Sequence, residues 1–110
     1  MINVTIDRIE YKVTMKGHAD YAELGKDIVC SAMSILFFSL AHTLEDNTDK
    51  LLGGVALSEN NGEITISACP QEGYASIIGA VYEMFTTGTR LLHENYPNNV
   101  HLTVRGECAL

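Results

Sequence analysis

The 110 residues are enough for a single domain, and a hydrophobic share of 46% can build a core, although a domain this small gains from a partner subunit. Fourteen acidic residues against seven basic ones give a formal charge of −7. That argues against broad nucleic-acid binding, which needs clustered Lys and Arg, and suits a partner or substrate with a basic segment.

The N-terminal INVTI alternates, with Ile2, Val4 and Ile6 on one face, as in a half-buried strand. DRIE turns it, and YKVTMK alternates again with Tyr11, Val13 and Met15 inward, so a hairpin is expected. GHADYAELGKD then breaks the pattern between Gly17 and Asp27 and reads as a movable loop with a glycine near each end. Asp27 is a good N-cap for the helix that follows. That helix, IVCSAMSILFFSLAHTL, is apolar on nearly every face. It should be largely buried, with a sheet on one side and a second helix or another subunit on the other. It is the one candidate for a membrane span, but the run from Ile28 to Leu44 is shorter than the ~20 residues a span needs and carries Ser31, Ser34, Ser39, His42 and Thr43. MINVTIDR lacks the character of a signal peptide, so a cytoplasmic protein without membrane contact is expected.

LLGGVALS and GEITISA read as strands joined through Asn61-Gly62, a strong hairpin signal. Ile77, Ile78, Val81, Phe85 and Leu92 recur at helical spacing, with Gly88 weakening that helix midway and Pro97 stopping it. VHLTVR is a last strand. The order ββαββαβ predicts an α+β fold in one domain, residues 1–110, with two helices packed on a mixed or antiparallel sheet.

Three scattered cysteines, Cys30, Cys69 and Cys108, form no CxxC pair and no Cys/His ligand spacing. No disulfide framework, metal site or other cofactor is expected. Cys30 stands apart because it falls in the first turn of the apolar helix. A nucleophilic cysteine needs thiolate character, and the partial positive charge at a helix start favours it. His18 lies just after a strand, and the loop can bring its imidazole to the thiol as acid and base. Free N–H groups at the helix start could serve as an oxyanion hole. Asp27 would cap the helix or orient His18. Ser34 lies one helical turn beyond Cys30 on the same face, although a mid-helix Ser more often bonds a preceding carbonyl. The residue types alone leave both readings open, since a Cys in an apolar helix is usually a small buried hydrophobe. Cys69 and Cys108 read as inert, and His42, His93 and His101 as surface residues.

Gly17-His18-Ala19, a loop to Gly25, then Asp27-Ile28-Val29-Cys30 with Ser34 four residues on, resembles the Prp family of bacterial ribosomal-processing cysteine proteases. The resemblance extends to the whole chain in element order and length, but its specific part is Gly17 to Ser34. It implies a cysteine endopeptidase that removes an N-terminal extension from large-subunit ribosomal protein number twenty-seven, cutting after an apolar, Phe-containing motif. It implies Cys30 as nucleophile, His18 as its partner, and supporting roles for Asp27 and Ser34. It also implies a mobile loop over the substrate, with Gly17, Ala19, Asp20, Tyr21 and Gly25 in the loop and its hinges, and a homodimer. Ser31 departs slightly from the expected small residue after the cysteine. Two other classes stay in view: a non-catalytic ribosome-assembly or ribosomal-protein-binding factor, and a thiol redox sensor using Cys30.

Overall fold

The computed structural model describes residues 1–23 and 25–106. Cys108 lies outside the described residues. The elements are β1 (Ile2–Asp7), β2 (Lys12–Lys16), α1 (Ile28–Asp46), a short 3₁₀ turn (Thr48–Lys50), β3 (Leu51–Asn60), β4 (Glu63–Pro70), α2 (Ala75–Asn95) and β5 (Val100–Arg105). The five strands form one sheet in the order β3-β4-β2-β1-β5. Among the described residues only β1 and β5 pair in parallel, so the sheet is mixed.

Period-two alternation decides which side each strand buries. Ile2, Val4 and Ile6 of β1, Val13 of β2, Ile66 and Ala68 of β4 and Val100 of β5 meet Val29, Met33 and Phe37 of α1 and Ile78, Tyr82 and Phe85 of α2 in one core. The opposite face carries hydroxyls in register across all five strands: Ser58, Thr65, Thr14, Thr5 and Thr103. Thr14 and Thr65 lie 3.3 Å apart through their Oγ1 atoms. The core is therefore two-layered, with both helices on one face of the sheet.

Local chemistry explains the turns. Asp7 closes β1 because its Oδ1 accepts from the N–H groups of Ile9 and Glu10, each at 3.0 Å. Asn61 and Gly62, both at positive φ (53° and 75°), make the tight β3–β4 turn. Gly53 and Gly54, also at positive φ, sit where the β3–β4 register shifts between Leu52 and Val55, so the glycine pair makes a bulge in what reads as a plain strand.

Gly88 has a packing role besides its cost in helix propensity. α2 runs through it unbroken, and a Cβ there would lie 2.7 Å from Cδ2 of Leu36 on α1. The glycine lets the two helices approach closely. Burial raises the pKa of Tyr82, whose hydroxyl donates to the carbonyl of Tyr11 and ties α2 to the start of β2.

α1 is long and apolar enough, by length and composition alone, to cross a membrane. In the fold its inner stripe, Val29, Met33, Phe37, Leu40, Ala41 and Leu44, is buried against the sheet and α2. The cover expected on a second side is thus supplied by α2. Its third side stays open, with Ile35 65% and Phe38 52% exposed.

The topology brings three stretches to one end of the sheet. Asn3 pairs with Lys16 at the end of β2, and Ile2 pairs with Val100 at the start of β5. The loop after β2 and the turn before β5 therefore leave the sheet side by side, next to the start of α1.

Candidate active site

Asp27 starts α1 from an extended conformation, and its Oδ1 accepts from the N–H of Cys30 at 2.9 Å. This is the expected cap. The same carboxylate also holds the preceding loop: Oδ2 accepts from the N–H groups of Tyr21 (3.0 Å) and Ala22 (3.4 Å). These bonds, that from Cys30 first, hold the Asp27 carboxyl below the usual carboxylate range despite the opposing effect of burial.

The cap takes up one N–H group of the helix start: the Cys30 N–H is committed to Asp27 Oδ1, while the Ser31 N–H makes the first bond within the helix, to the Asp27 carbonyl at 3.1 Å. Ser31 Oγ also donates to that carbonyl at 3.1 Å, so the back-bonding expected of Ser34 falls to Ser31 instead.

His18, Asp20, Asp27, Cys30 and Ser34 line one open groove of about 730 Å³. Gly25 and Ala22 border it from the loop, and Ser31, Ile35 and Phe38 from α1. Cys30 is half-buried and His18 exposed. Among the described residues no hydrogen bond joins the two side chains.

The loop between them is anchored at several points. Gly17 has φ +96°, and a Cβ there would fall 2.4 Å from the carbonyl oxygen of Met1, so only glycine fits. Ala19 is fully buried, and its carbonyl accepts from Asn99 Nδ2 at 2.8 Å. The ring of Tyr21 meets that of Tyr96 edge-on, with centroids 5.3 Å apart. Asp20 holds φ +56°, and Gly25, at φ +85°, has open space around it.

The groove wall of Ile35 and Phe38 escaped sequence reasoning, although its signal was present. Ser31, Ser34, Ile35 and Phe38 recur at i, i+3, i+4 and i+7 on a helix with no polar face. Asn99 and Tyr96 carried no signal at all. Cys69 is exposed on β4, away from the groove. His42 and His101 are exposed, but His93 is half-buried with Nδ1 2.7 Å from the Val100 carbonyl oxygen. Among the described residues no cluster of three or more His, Cys, Asp or Glu could hold a metal ion.

The profile of the family described as cysteine protease Prp matches residues 1–101. The chain belongs to the Prp family of cysteine proteases. It is 31% identical over 90 residues to the ribosomal processing cysteine protease Prp of Mycoplasma genitalium, covering 77% of this chain and 79% of that one. Its fold is similar to the crystal structure of an essential ribosomal processing protease Prp from S. aureus in complex with a covalently linked product peptide. That match has a TM-score of 0.77 at 23% identity over 96% of this chain and 100% of the other. It is also similar to SMU.848 from Streptococcus mutans, with a TM-score of 0.67 at 26% identity over 96% of this chain and 93% of the other. As a Prp-family member the chain is a ribosomal-processing cysteine protease.

Proposed function

We propose that this protease uses a Cys30–His18 dyad to remove the N-terminal extension of large-subunit ribosomal protein number twenty-seven, cutting after an apolar, Phe-containing motif. The observation that carries the reading is the composition of one groove. It combines a thiol in the first turn of α1, an imidazole from the adjoining loop, and two exposed apolar side chains one and two turns further along the helix. A relative of the same fold from S. aureus has been crystallised with a substrate peptide. The net charge of −7 favours a basic ribosomal protein.

In this reading His18 holds the proton of Cys30, and the thiolate attacks the scissile carbonyl carbon. A C–S bond forms while the carbonyl electron pair moves onto oxygen, where the positive end of the α1 dipole stabilises it. The tetrahedral intermediate collapses, the C–N bond breaks, and His18 protonates the leaving amine. Neutral His18 then takes a proton from water, which attacks the thioester. Release of the carboxylic acid restores thiolate and imidazolium.

Asp27 supports the dyad through the cap, and Ser34 borders it. Gly17 and Gly25 serve as the hinges of a lid that carries Ala19, Asp20 and Tyr21 beside the substrate, its closed form held by the Asp27 carboxylate, and closure excludes water from the thioester. The chain works in the cytoplasm as a homodimer, without membrane or direct nucleic-acid contact. An apolar groove of about 280 Å³ between α1 and α2, lined by Leu36, Leu40, Val81, Met84 and Phe85, supports such pairing.

The test is mass spectrometry of a peptide bearing the apolar Phe motif followed by a basic tail. It is incubated with wild type, Cys30→Ala and His18→Ala. A single cut after Phe that is lost in both variants is expected. Stoichiometric, salt-sensitive binding that survives Cys30→Ala, with no cut, would assign the groove to a non-catalytic binding role.

A further inference from the structure

The loop that carries His18 is held by residues far away in sequence. Asn99 donates through Nδ2 to the Ala19 carbonyl at 2.8 Å, across a separation of 80 residues. Asn99 is itself fixed: its N–H donates to the Tyr96 carbonyl at 2.9 Å, and its carbonyl accepts from Ile2 N–H at 2.8 Å. Tyr96 sets its ring edge-on to Tyr21, two residues beyond Ala19. These two contacts come from the turn between α2 and β5, which the sheet topology places beside the exit of β2. Asp27 holds the other side of the loop through the amides of Tyr21 and Ala22. His18 itself has no hydrogen bond among the described residues, so its direction depends on its neighbours Gly17 and Ala19. Gly17 is crowded against the Met1 carbonyl, and Ala19 is buried and bonded.

We propose that Asn99 and Tyr96 are positioning residues of the protease reaction: from the α2–β5 turn they fix the loop on which His18 is mounted, and so the direction in which its imidazole meets the Cys30 thiol. The inference rests on the Cys30–His18 dyad. It needs no contact between either residue and substrate. Asn99 supplies an N–H donor to a carbonyl that would otherwise be left in the core edge without its partner, and a carboxylate in its place could not donate. Loss of the bond frees the backbone next to His18, and small displacements of a catalytic group are costly in rate.

The experiment uses the full chain and compares Asn99→Asp with Asn95→Asp. Asn95 lies only four residues earlier and bonds the Leu91 carbonyl through Nδ2 at 2.8 Å, but it does not touch the loop. Two readouts are taken: kcat and KM on the cleaved peptide, and the pH dependence of iodoacetamide alkylation mapped to Cys30, with His18→Ala as reference. Asn99→Asp is expected to lower kcat on the order of 10- to 100-fold with a smaller change in KM, and to shift the alkylation profile toward that of His18→Ala. Asn95→Asp is expected to match wild type in both. Tyr96→Leu, which leaves every backbone bond of the turn in place, should move the same readouts in the same direction by less, and it decides the matter if Asn99→Asp does not fold.

Asn99→Asp and Tyr96→Leu at wild-type kcat and profile, with His18→Ala altered, would reduce both residues to a structural role and leave the dyad intact. A His18→Ala profile indistinguishable from wild type would remove the dyad, and the inference with it.

Discussion

The two helices begin in different ways. α1 starts from Asp27, whose carboxylate accepts from the helix and from the preceding loop at once. α2 starts from Tyr74, with no side-chain cap, after Gly73 at φ +91°. Both helix starts carry the same partial positive charge. Only that of α1 has a thiol in its first turn, an imidazole on the adjoining loop and an apolar wall below it. In the proposed reading, the difference teaches that a helix start becomes a reactive site through what is fastened to it. The dipole alone leaves α2 an ordinary core helix.

The most severe way to break this comparison is to remove the thiol. Cys30→Ala should abolish peptide cleavage, while Cys69→Ala, at an exposed position of β4 outside the groove, should cut at the wild-type rate. Equal loss in both would mean that the helix start confers nothing.

Next come the apolar walls. Ile35→Ser or Phe38→Ser should raise KM for an apolar peptide, lowering kcat/KM about tenfold, the order expected from losing one apolar contact in a pocket. Leu91→Ser, at a position of similar exposure on α2, should leave kinetics unchanged. Thermal unfolding should barely move in any of the three, since none of these side chains is buried.

The loop glycines sharpen the comparison through stability. Gly25→Ala should cost ~1 kcal/mol in urea unfolding, the strain of a side chain at positive φ in open space. Gly17→Ala should cost more, because its Cβ would also meet the Met1 carbonyl. Equal values would show that the crowding at Gly17 is relieved by a shift of the strand.

pH probes the charged cap, which α2 lacks. The folded Asp27 carboxyl lies below its ordinary value of 3.8. Its contribution to stability is therefore present above that value and is lost as pH falls through and below it. Thermal unfolding of wild type and Asp27→Asn should differ near neutral pH and converge in acid. A constant difference would mean that the amide replaces the carboxylate fully. The smallest effect is expected at Gly88→Ala. A gain in helix propensity of ~1 kcal/mol there is offset by displacement of the Leu36 side chain, so the two helices should stay paired with little net change in urea unfolding.

Much of this was legible because it is local. Alternation in INVTI and VHLTVR, the Asn61-Gly62 turn and the Asp27 cap each depend on residues a few positions apart, and the sequence alone determined them. The spacing from His18 to Cys30 was likewise written in one stretch, so both ends of the groove could be named. Other features depend on pairings across long separations. The parallel join of β1 to β5 places Asn99 against Ala19, the approach of two helices explains Gly88, and the open third side of α1 turns Ile35 and Phe38 into a wall. Tertiary structure alone decided these. A side chain's partner is set by the sheet edge or helix face that arrives beside it, and no local pattern encodes which one that will be.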